Sequence, residues 1–477
     1  KTAIMDDFVV GTVDQLLMMA LKQKHLALRH LGISKKIVVI DEVHAYDAYM
    51  DQYLNMALEW LGAYNVPVIL LSATLPKKSR VDFITHYLMG KGAKLSSDEK
   101  NSLTSDNYPL ITYTDNDRAL NVKDFTPIKD KTIEIKYIDT TNPVELIDSL
   151  LDKGGNIGVI VNTVKKSQDI AKLLSEKFGD ENVMLLHSSF IATDRVKNEE
   201  NLMKYLGKDG DRPQKMIVVG TQVIEQSLDI DFDVIISDIA PIDLLIQRMG
   251  RLHRHERDNR PDKHKKPVLY VLGNNKSLEF ESGSEAVYGG YLLTRTGYFL
   301  GDSIRLPGDI SRLVQEVYDE NIALDLPDEL KEKYDKYKLG YEGLVKVKKG
   351  RAKAYRLDSP ILKKRISKEP NLIGWLNNQS KVSNEEDGNS QVRDTQDTIE
   401  VIALKKLNDG YTTFDSSEDM SKSIVDGKIA KKIASSTIKL PNRLSKPYNI
   451  DKTIKELEDF YIKYLGNEAE EIKTKGL

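Results

Sequence analysis

The 477-residue sequence contains no cysteine, which excludes disulfide bridges, thiolate zinc sites and cysteine nucleophiles. It also lacks any apolar run near the roughly 18 residues that a membrane span requires. The first ten residues, "KTAIMDDFVV", do not follow the basic-then-apolar order of a secretory signal. Together these absences predict a cytoplasmic protein with no membrane contact.

A strong excess of one charge is missing as well. The chain carries 70 Lys and Arg residues against 73 Asp and Glu residues, a net charge of −3. Binding to nucleic acid would therefore depend on a local patch or on neutral donors, not on the field of the whole protein. With 40% hydrophobic residues the chain can bury sizeable cores, and its length predicts roughly two to three domains.

Short apolar runs alternate with helical patterns through the first part of the chain. The runs consist mostly of Val, Ile and Leu, as is typical of parallel strands buried on both faces. Helical patterns at 48–62 and 165–178 lie between them, and such alternation predicts α/β units with a parallel sheet. The predicted strands are 37–40, 66–71, 157–161, 183–186, 216–219, 233–236 and 268–272.

The alternation is interrupted at residues 91–130, which are rich in Asp, Lys, Ser and Asn. This polar stretch predicts a junction between two α/β units. Beyond about residue 275 the alternation stops. There the pattern predicts helices over 310–345, an exposed loop over 377–394 and a strand over 398–404.

Polar residues follow the first two predicted strands directly. "IVVIDEVH" ends on Asp41 and Glu42, and "VILLSATLP" ends on Ser72 and Thr74. In open α/β sheets, ligands bind beyond the carboxyl ends of the strands. One carboxylate there can hold Mg²⁺, and the next can orient and deprotonate a water molecule. The same residues also fit a polar strand end and a turn closed by proline.

A basic cluster occurs in "QRMGRLHRH", residues 247–255. Arg251 and Arg254 are three residues apart, so they would share a face of a helix and together bind phosphate oxygens. A solvated basic face or a general polyanion patch fits the same residues. Metal binding by His253 and His255 is disfavoured, because the flanking arginines repel a cation.

The order of these motifs carries more information than any one of them. "DEVH", which has the DExH form, then "SAT", "GTQVIEQSLD" and "QRMGRLHR" resemble motifs II, III, V and VI of superfamily 2 helicases. In those proteins two RecA-like domains enclose ATP, and nucleic acid crosses both. The stretches at 291–320 and 392–404 narrow the resemblance to the helicase–nuclease family of type I CRISPR interference, whose members the Cascade complex recruits.

The resemblance implies a role for each matching residue. Asp41 would hold Mg²⁺, and Glu42 would be the base for the water that attacks ATP. Neutral side chains would contact the backbone of single-stranded DNA, so the chain need not be basic to bind it. His44 would couple to Gln247 across the domain interface, and Ser72 and Thr74 would link ATP hydrolysis to movement of the DNA strand. The other implied roles are catalysis and nucleotide binding by Gln247, Arg251, Arg254 and Asp229, and DNA contacts by Thr12, Thr163, Thr221 and Gln222.

Two family features are absent from the sequence. The phosphate-binding pattern G-x-x-x-x-G-K-[ST] does not occur, and neither does an "HD" dipeptide. The family carries both upstream of motif II. The resemblance therefore predicts an N-terminally truncated chain without the Walker A loop and the HD nuclease domain, inactive as an isolated fragment.

The predicted fold is α/β, with two RecA-like parallel-sheet domains, the first incomplete, followed by an α+β C-terminal domain. The predicted segments are 1–95, the partial first RecA-like domain; 96–130, the junction; 131–275, the second RecA-like domain; 276–345, a family-specific insertion and linker helices; and 346–477, the C-terminal domain.

The predicted function is that of an ATP-dependent translocase and helicase on single-stranded DNA in type I CRISPR–Cas antiviral defence. It would unwind target DNA after recruitment by Cascade, with the HD nuclease fused upstream or separate. Two alternatives remain. One is a superfamily 2 helicase that acts on RNA, against which 291–404 argues. The other is a non-hydrolytic module for DNA binding and partner docking, which the missing phosphate loop favours.

Overall fold

The computed structural model describes residues 3–23, 25–43, 47–139, 142–225, 228–273, 278–360, 392–394, 398–408, 410–420, 427–441, 444–446 and 448–465. The chain forms two compact units, Lys1–Lys153 with Asp233–Asp394, and Gly154–Phe232 with Thr395–Leu477. Most of the predicted loop at 377–394 lies outside the described residues. The five predicted domain segments stay predictions.

Strands and helices alternate as the sequence predicts. The strands are β1 (Val38–Ile40), β2 (Val68–Leu70), β3 (Ile111–Asp115), β4 (Arg118–Val122), β5 (Lys131–Ile138), β6 (Gly155–Ile160), β7 (Val183–Leu186), β8 (Lys215–Gly220), β9 (Val234–Asp238), β10 (Val268–Leu272), β11 (Ser303–Leu306), β12 (Glu400–Ile402), β13 (Lys405–Lys406), β14 (Tyr411–Thr412) and β15 (Thr437–Lys439).

The α-helices connect these strands. They are α1 (Val13–Leu17), α2 (Leu26–Ile33), α3 (Met50–Ala63), α4 (Lys77–Lys91), α5 (Ser97–Ser102), α6 (Val144–Leu150), α7 (Val164–Phe178), α8 (Ala192–Leu206), α9 (Ile242–Met249), α10 (Ser282–Tyr288), α11 (Gly290–Phe299), α12 (Ile310–Tyr318), α13 (Asp328–Tyr355), α14 (Gly427–Ala434) and α15 (Ile450–Leu465).

In the first unit, β1 and β2 pair in parallel, and α3 and α4 follow them. The two helices cross with their backbones in contact. A Cβ atom on Gly90 would lie 1.9 Å from the carbonyl oxygen of Glu59, and one on Gly62 would lie 2.1 Å from that of Tyr87. Only glycine fits at these two positions.

The β1–β2 pair is covered on one face only. Side chains alternate between the two faces of a strand. Val38, Ile40, Val68 and Leu70 pack against the core that contains α3. On the other face the exposed fractions are 68% for Ile37, 58% for Val39, 48% for Ile69 and 46% for Leu71. The prediction of strands buried on both faces is therefore wrong for this pair, because no described residue covers the second face.

The predicted junction at 91–130 contains regular structure. Helix α5 begins with a capping box, in which the side chains of Ser96 and Glu99 each accept a hydrogen bond from the other's backbone N–H. Strands β3 and β4 then form an antiparallel hairpin, whose turn residues Asn116 and Asp117 have φ of 47° and 77°. Two successive residues with positive φ are typical of the tight turn in a two-residue hairpin.

Four further strands of the first unit lie in the order β11–β5–β10–β9. Strand β10 pairs in parallel with both β5 and β9, and β11 pairs with β5 in the antiparallel direction. Every side chain of β9 is buried, whereas those of β5 alternate in burial. The short strand β11 precedes α12, which packs against α9 and α11.

The long helix α13 runs from Asp328 to Tyr355 and so spans the predicted boundary at residue 345. It contacts α3. The ammonium group of Lys348 lies 2.6 Å from Oδ2 of Asp47, which follows β1 and precedes α3. A segment far along the chain therefore packs against the region that follows the first strand.

In the second unit, strand β8 pairs in parallel with β6 and with β7. Strand β6 is buried over its whole length. Toward the C-terminus, β12 pairs with β15 and β13 with β14, both antiparallel, and α14 and α15 accompany them. The predicted strand at 398–404 is found at Glu400–Ile402. These pairings agree with the predicted α/β fold and the α+β C-terminal part.

Among the helices in the described part of the chain, none combines the length and the apolar composition that a membrane crossing requires.

Strand β2 has β1 as its one paired neighbour among the described residues, so its second edge offers unpaired backbone groups. Such an edge, next to an exposed apolar face, favours intermolecular pairing. We therefore expect the isolated chain to self-associate, and the amides of 66–71 to exchange faster than those of 216–219 in hydrogen-exchange measurements. Ile69→Lys, which adds a charge to the exposed face, should reduce self-association. Equal protection of both strands in a monomeric sample would contradict this expectation.

Candidate functional site

The carboxyl ends of β1 and β2 lie side by side. Beyond the paired residues, the Leu71 N–H donates to the carbonyl oxygen of Ile40 at 2.9 Å, and the Val43 N–H donates to that of Leu71 at 3.2 Å. These bonds bring the segment containing Asp41 and Glu42 next to Ser72. The predicted convergence of the two strand ends is confirmed.

Asp41 and Glu42 form a tight turn at this edge. The backbone N–H of Glu42 donates to Oδ1 of Asp41 at 2.9 Å, and Glu42 has φ of 54°, in the left-handed region. Non-glycine residues rarely adopt this conformation, and residues that do so cluster at functional sites. Both residues are exposed. The turn therefore presents two carboxylates to solvent at the open end of the sheet. His44 lies outside the described residues.

A carboxylate in this position fits Mg²⁺, which uses one or two protein carboxylates together with water and phosphate oxygens. The described residues contain no cluster of three His, Asp or Glu side chains that would hold a metal by itself. A magnesium ion at Asp41 would therefore need further ligands from water and from a phosphate-bearing substrate.

Ser72 and Thr74 form the turn after β2. The hydroxyl of Ser72 accepts a hydrogen bond from the Thr74 N–H at 3.3 Å. Thr74 is 2% exposed, and its own hydroxyl has no hydrogen-bond partner among the described residues. The turn borders a cavity of about 550 Å³. A buried hydroxyl without a partner is unusual, and at a conformational switch it can be satisfied in another state.

The basic cluster at residues 247–255, here called the arginine segment, begins on α9 but extends past the end of that helix. The helix ends at Met249, so Gln247 is helical, whereas Arg251 and Arg254 lie in the turns that follow. The expectation that the two arginines share a helix face is therefore wrong, because residue spacing does not reveal where a helix ends. Arg254 is exposed, and its Nη1 donates to the carbonyl oxygen of Gly250 at 3.3 Å.

Two other arginines determine the shape of this segment, and sequence reasoning missed both. Arg248 is fully buried, and its Nη1 donates to the hydroxyl of Ser237 at 2.8 Å and to the carbonyl oxygen of Asp238 at 3.0 Å. Arg248 lies three residues after the buried Leu245, on the apolar side of α9. This spacing was the sequence signal that could have indicated its burial.

Arg260 holds the other end of the segment. Its Nη1 lies 2.6 Å from Oδ1 of Asp233, and both side chains are buried. Its Nη2 donates to the carbonyl oxygen of His255 at 2.9 Å, and Nε2 of His253 lies 3.0 Å from the carbonyl oxygen of Asp233. Arg260 therefore ties the loop that carries Arg254 to the start of β9.

The second unit brings three of the predicted DNA-contacting residues together. The Val161 N–H donates to the carbonyl oxygen of Gly220 at 2.9 Å, so the ends of β6 and β8 meet. Gln222 Nε2 donates to the carbonyl oxygen of Asn162 at 3.5 Å, next to Thr163. The adjoining Thr221 is buried.

The hydroxyl of Thr163 also has a structural role. It caps α7 by accepting a hydrogen bond from the Lys166 N–H at 3.3 Å. Its own proton can still be donated to a ligand, because a hydroxyl both donates and accepts. Thr12 is exposed before α1 and makes no side-chain cap, and Asp229 is half-buried beside Ile230. The functional roles assigned to all the predicted site residues stay predictions.

Two family models match the sequence. Residues 153–257 match a model described as "CRISPR-associated nuclease/helicase Cas3, C-terminal", and residues 393–467 match one described as "Cas3 C-terminal domain". The first match includes the strand ends of the second unit and the arginine segment.

Curated relatives match over most of the chain. The CRISPR-associated nuclease/helicase Cas3 of Streptococcus thermophilus is 53% identical over 468 residues, which are 98% of this chain and 50% of that protein. The CRISPR-associated endonuclease/helicase Cas3 of Thermus thermophilus is 32% identical over 383 residues, which are 70% of this chain and 40% of that protein. The chain thus spans about half the length of these relatives or less.

Solved structures are similar in fold. The structure of T. fusca Cas3 with AMPPNP has a TM-score of 0.75 and 29% identity, and the match covers 90% of this chain and 50% of that one. A chain in "CRISPR RNA-guided surveillance complex, pre-nicking" has a TM-score of 0.73 and 28% identity, covering 92% of this chain and 54% of that one.

The Arg260–Asp233 pair generates a stability prediction. Arg260→Ala would break the buried ion pair with Asp233, a change that typically destabilises by about 3–5 kcal/mol. Urea unfolding should therefore show a clearly lower midpoint. Lys265→Ala, which breaks an exposed pair with Asp262, should leave the midpoint unchanged. Equal midpoints for both variants would show that Arg260 does not hold the segment.

Proposed function

The chain belongs to the Cas3 family of CRISPR-associated nuclease/helicases, and on that premise we propose that it is the motor part of an ATP-dependent translocase on single-stranded DNA. The observation that carries this proposal is the meeting of the two strand ends, which sets Asp41 and Glu42 beside the turn of Ser72 and Thr74. A nucleotide-hydrolysing site needs carboxylates at such an edge and a nearby turn that can respond to the nucleotide.

In this proposal Glu42 orients and deprotonates the water that attacks ATP, and Asp41 holds Mg²⁺. When bound, the metal neutralises charge on the phosphates. Arg251 and Arg254 stabilise the negative charge that develops on the γ-phosphate, Gln247 pairs with His44, and Asp229 contacts the nucleotide. The exposure of Asp41, Glu42 and Arg254 supports these roles, because each charged group is accessible to a ligand.

The sequence contains no G-x-x-x-x-G-K-[ST] motif, whose lysine and backbone N–H groups hold the β- and γ-phosphates in related enzymes. We therefore propose that the chain by itself hydrolyses ATP at background level only. The other predicted function, a non-hydrolytic docking module, rests on this same absence and differs in giving no ATP turnover even in the complete gene product.

Single-stranded DNA is the proposed substrate. Thr163 and Gln222 meet at one edge of the second unit and offer neutral donors to a sugar–phosphate backbone, and Thr12 would add a contact from the first unit. The DNA contact of Thr221 stays a prediction from the sequence, because its side chain is buried. Such donors suit a chain of net charge −3. We also propose Cascade as the partner, because a similar structure belongs to a CRISPR RNA-guided surveillance complex. An HD nuclease, fused or separate, and a cytoplasmic location stay predictions.

Glu42→Gln is the sharpest test of the catalytic assignment. The amide is nearly the same size as the carboxylate but cannot accept the proton of the attacking water. In the complete gene product, we expect unchanged binding of ATP and DNA and loss of DNA-stimulated phosphate release. The chain of 477 residues alone should release phosphate at background level. Turnover by Glu42→Gln close to that of the wild type would exclude Glu42 as the base.

Arg254→Ala tests the assignment of the arginine segment. Loss of an arginine that contacts the γ-phosphate should lower kcat for ATP by at least ~100-fold and spare DNA binding. Lys265→Ala is the matched control, because it removes an exposed cation from the same region and should change neither quantity. Weaker DNA binding by Arg254→Ala with an intact ATPase rate would instead identify a DNA-binding patch.

A further inference from the structure

The side chain of Gln315, on α12, holds the backbone that follows the Ser72–Thr74 turn. Its Oε1 accepts a hydrogen bond from the Lys77 N–H at 2.8 Å, and its Nε2 donates to the carbonyl oxygen of Leu75 at 3.4 Å. Lys77 is the first residue of α4, where backbone N–H groups lack partners within the helix. Gln315 therefore caps α4 from a position 238 residues away in sequence.

The same turn of α12 also contacts the helix that leads to the arginine segment. Tyr318 lies three residues after Gln315, so the two side chains are neighbours on the helix surface. The Tyr318 hydroxyl donates to Oδ1 of Asp243 at 2.5 Å, and Asp243 is buried in the first turn of α9. Burial, and then the nearby Asp243 carboxylate, raise the pKa of Tyr318 well above its usual value, so the hydroxyl remains a donor.

Space for movement lies beside this connection. The cavity of about 550 Å³ is lined by the turn residues Ser72 and Thr74 and, on α12, by Ile310, Val314 and Gln315. The Thr74 hydroxyl there is buried and has no partner among the described residues. The turn is therefore not enclosed by close-packed side chains on the side of the cavity.

We propose that α12 is a mechanical connection between the turn after β2 and helix α9, with Gln315 as a positioning residue for ATP-driven movement. A displacement of the turn moves the backbone at Leu75 and Lys77, Gln315 transfers it to α12, and Tyr318 transfers it to Asp243 and α9. Arg251 and Arg254, which follow α9, then change position with the turn. This inference deepens the proposed translocase function and rests on it.

The test compares Gln315→Ala with Arg312→Ala in the complete gene product. Arg312 lies on the exposed side of the same helix, where it pairs with Glu316, so it is a matched control. We expect Gln315→Ala to lower the number of base pairs unwound per ATP hydrolysed by about 5- to 10-fold, as for the loss of two hydrogen bonds. The KM for ATP should change less than about twofold. Arg312→Ala should match the wild type in both quantities.

Two further variants separate a connection from a packing effect. Gln315→Glu keeps the acceptor for the Lys77 N–H but loses the donor to Leu75. It should therefore unwind more base pairs per ATP than Gln315→Ala but fewer than the wild type. Tyr318→Phe keeps the ring and removes the hydrogen bond to Asp243, and should also lower the number of base pairs unwound per ATP. If both residues act through one helix, the double variant Gln315→Ala/Tyr318→Phe should show a smaller fold reduction in base pairs unwound per ATP than the product of the two single fold reductions.

The outcomes separate this inference from the proposed function. If the wild type shows DNA-stimulated ATP hydrolysis and unwinding, and Gln315→Ala and Gln315→Glu both unwind as many base pairs per ATP as the wild type, the connection is refuted and the motor function stands. Equal losses in Gln315→Ala and Arg312→Ala would also refute it. If the wild type shows no DNA-stimulated ATP hydrolysis, the proposed function fails, and the connection fails with it.

Discussion

The parallel pairing of β1 with β2 is the constraint on which the candidate site depends. Val39 faces Ile69 in a fixed register, and backbone bonds continue the pairing past both strands. Residues immediately after Ile40 and Leu70 therefore have to lie at one edge, whatever their side chains are. The backbone sets the position of the chemistry, and the identities of Asp41 and Glu42 determine what that chemistry is.

The positive charges near the arginine segment divide into two kinds. Arg248 and Arg260 point inward, and each finds buried oxygen acceptors, so their charges stabilise the fold locally instead of meeting a ligand. Arg254 points outward. A guanidinium can serve either purpose, because it offers several donors in a rigid plane that suits carbonyl, carboxylate and phosphate oxygens alike.

Much of the fold could be predicted from the sequence, because runs such as "IVVI" and "IGVIV" are both apolar and β-branched. Strand β5 was missed because "KTIEIKYI" alternates instead of forming a run, and β11 because an edge strand of four residues carries little signal. The residue types at the candidate site were also readable in order along the chain. The ion pair of Arg260 and the contacts of Gln315 were not, because they join positions that no local window contains. The burial of Arg248 was indicated only by its spacing on α9.

The backbone contact between α3 and α4 has a consequence for how the edge can move. Helix α3 follows the segment of Asp41 and Glu42, α4 follows the turn of Thr74, and at Gly62 and Gly90 no atom separates the two helices. The crossing therefore has no room for a side chain, and even one methyl group at either glycine would push the two helices apart. The carboxylates and the hydroxyls therefore lie on turns at the rim of one close-packed helix pair, and movement at this edge falls to those turns and to the start of α4.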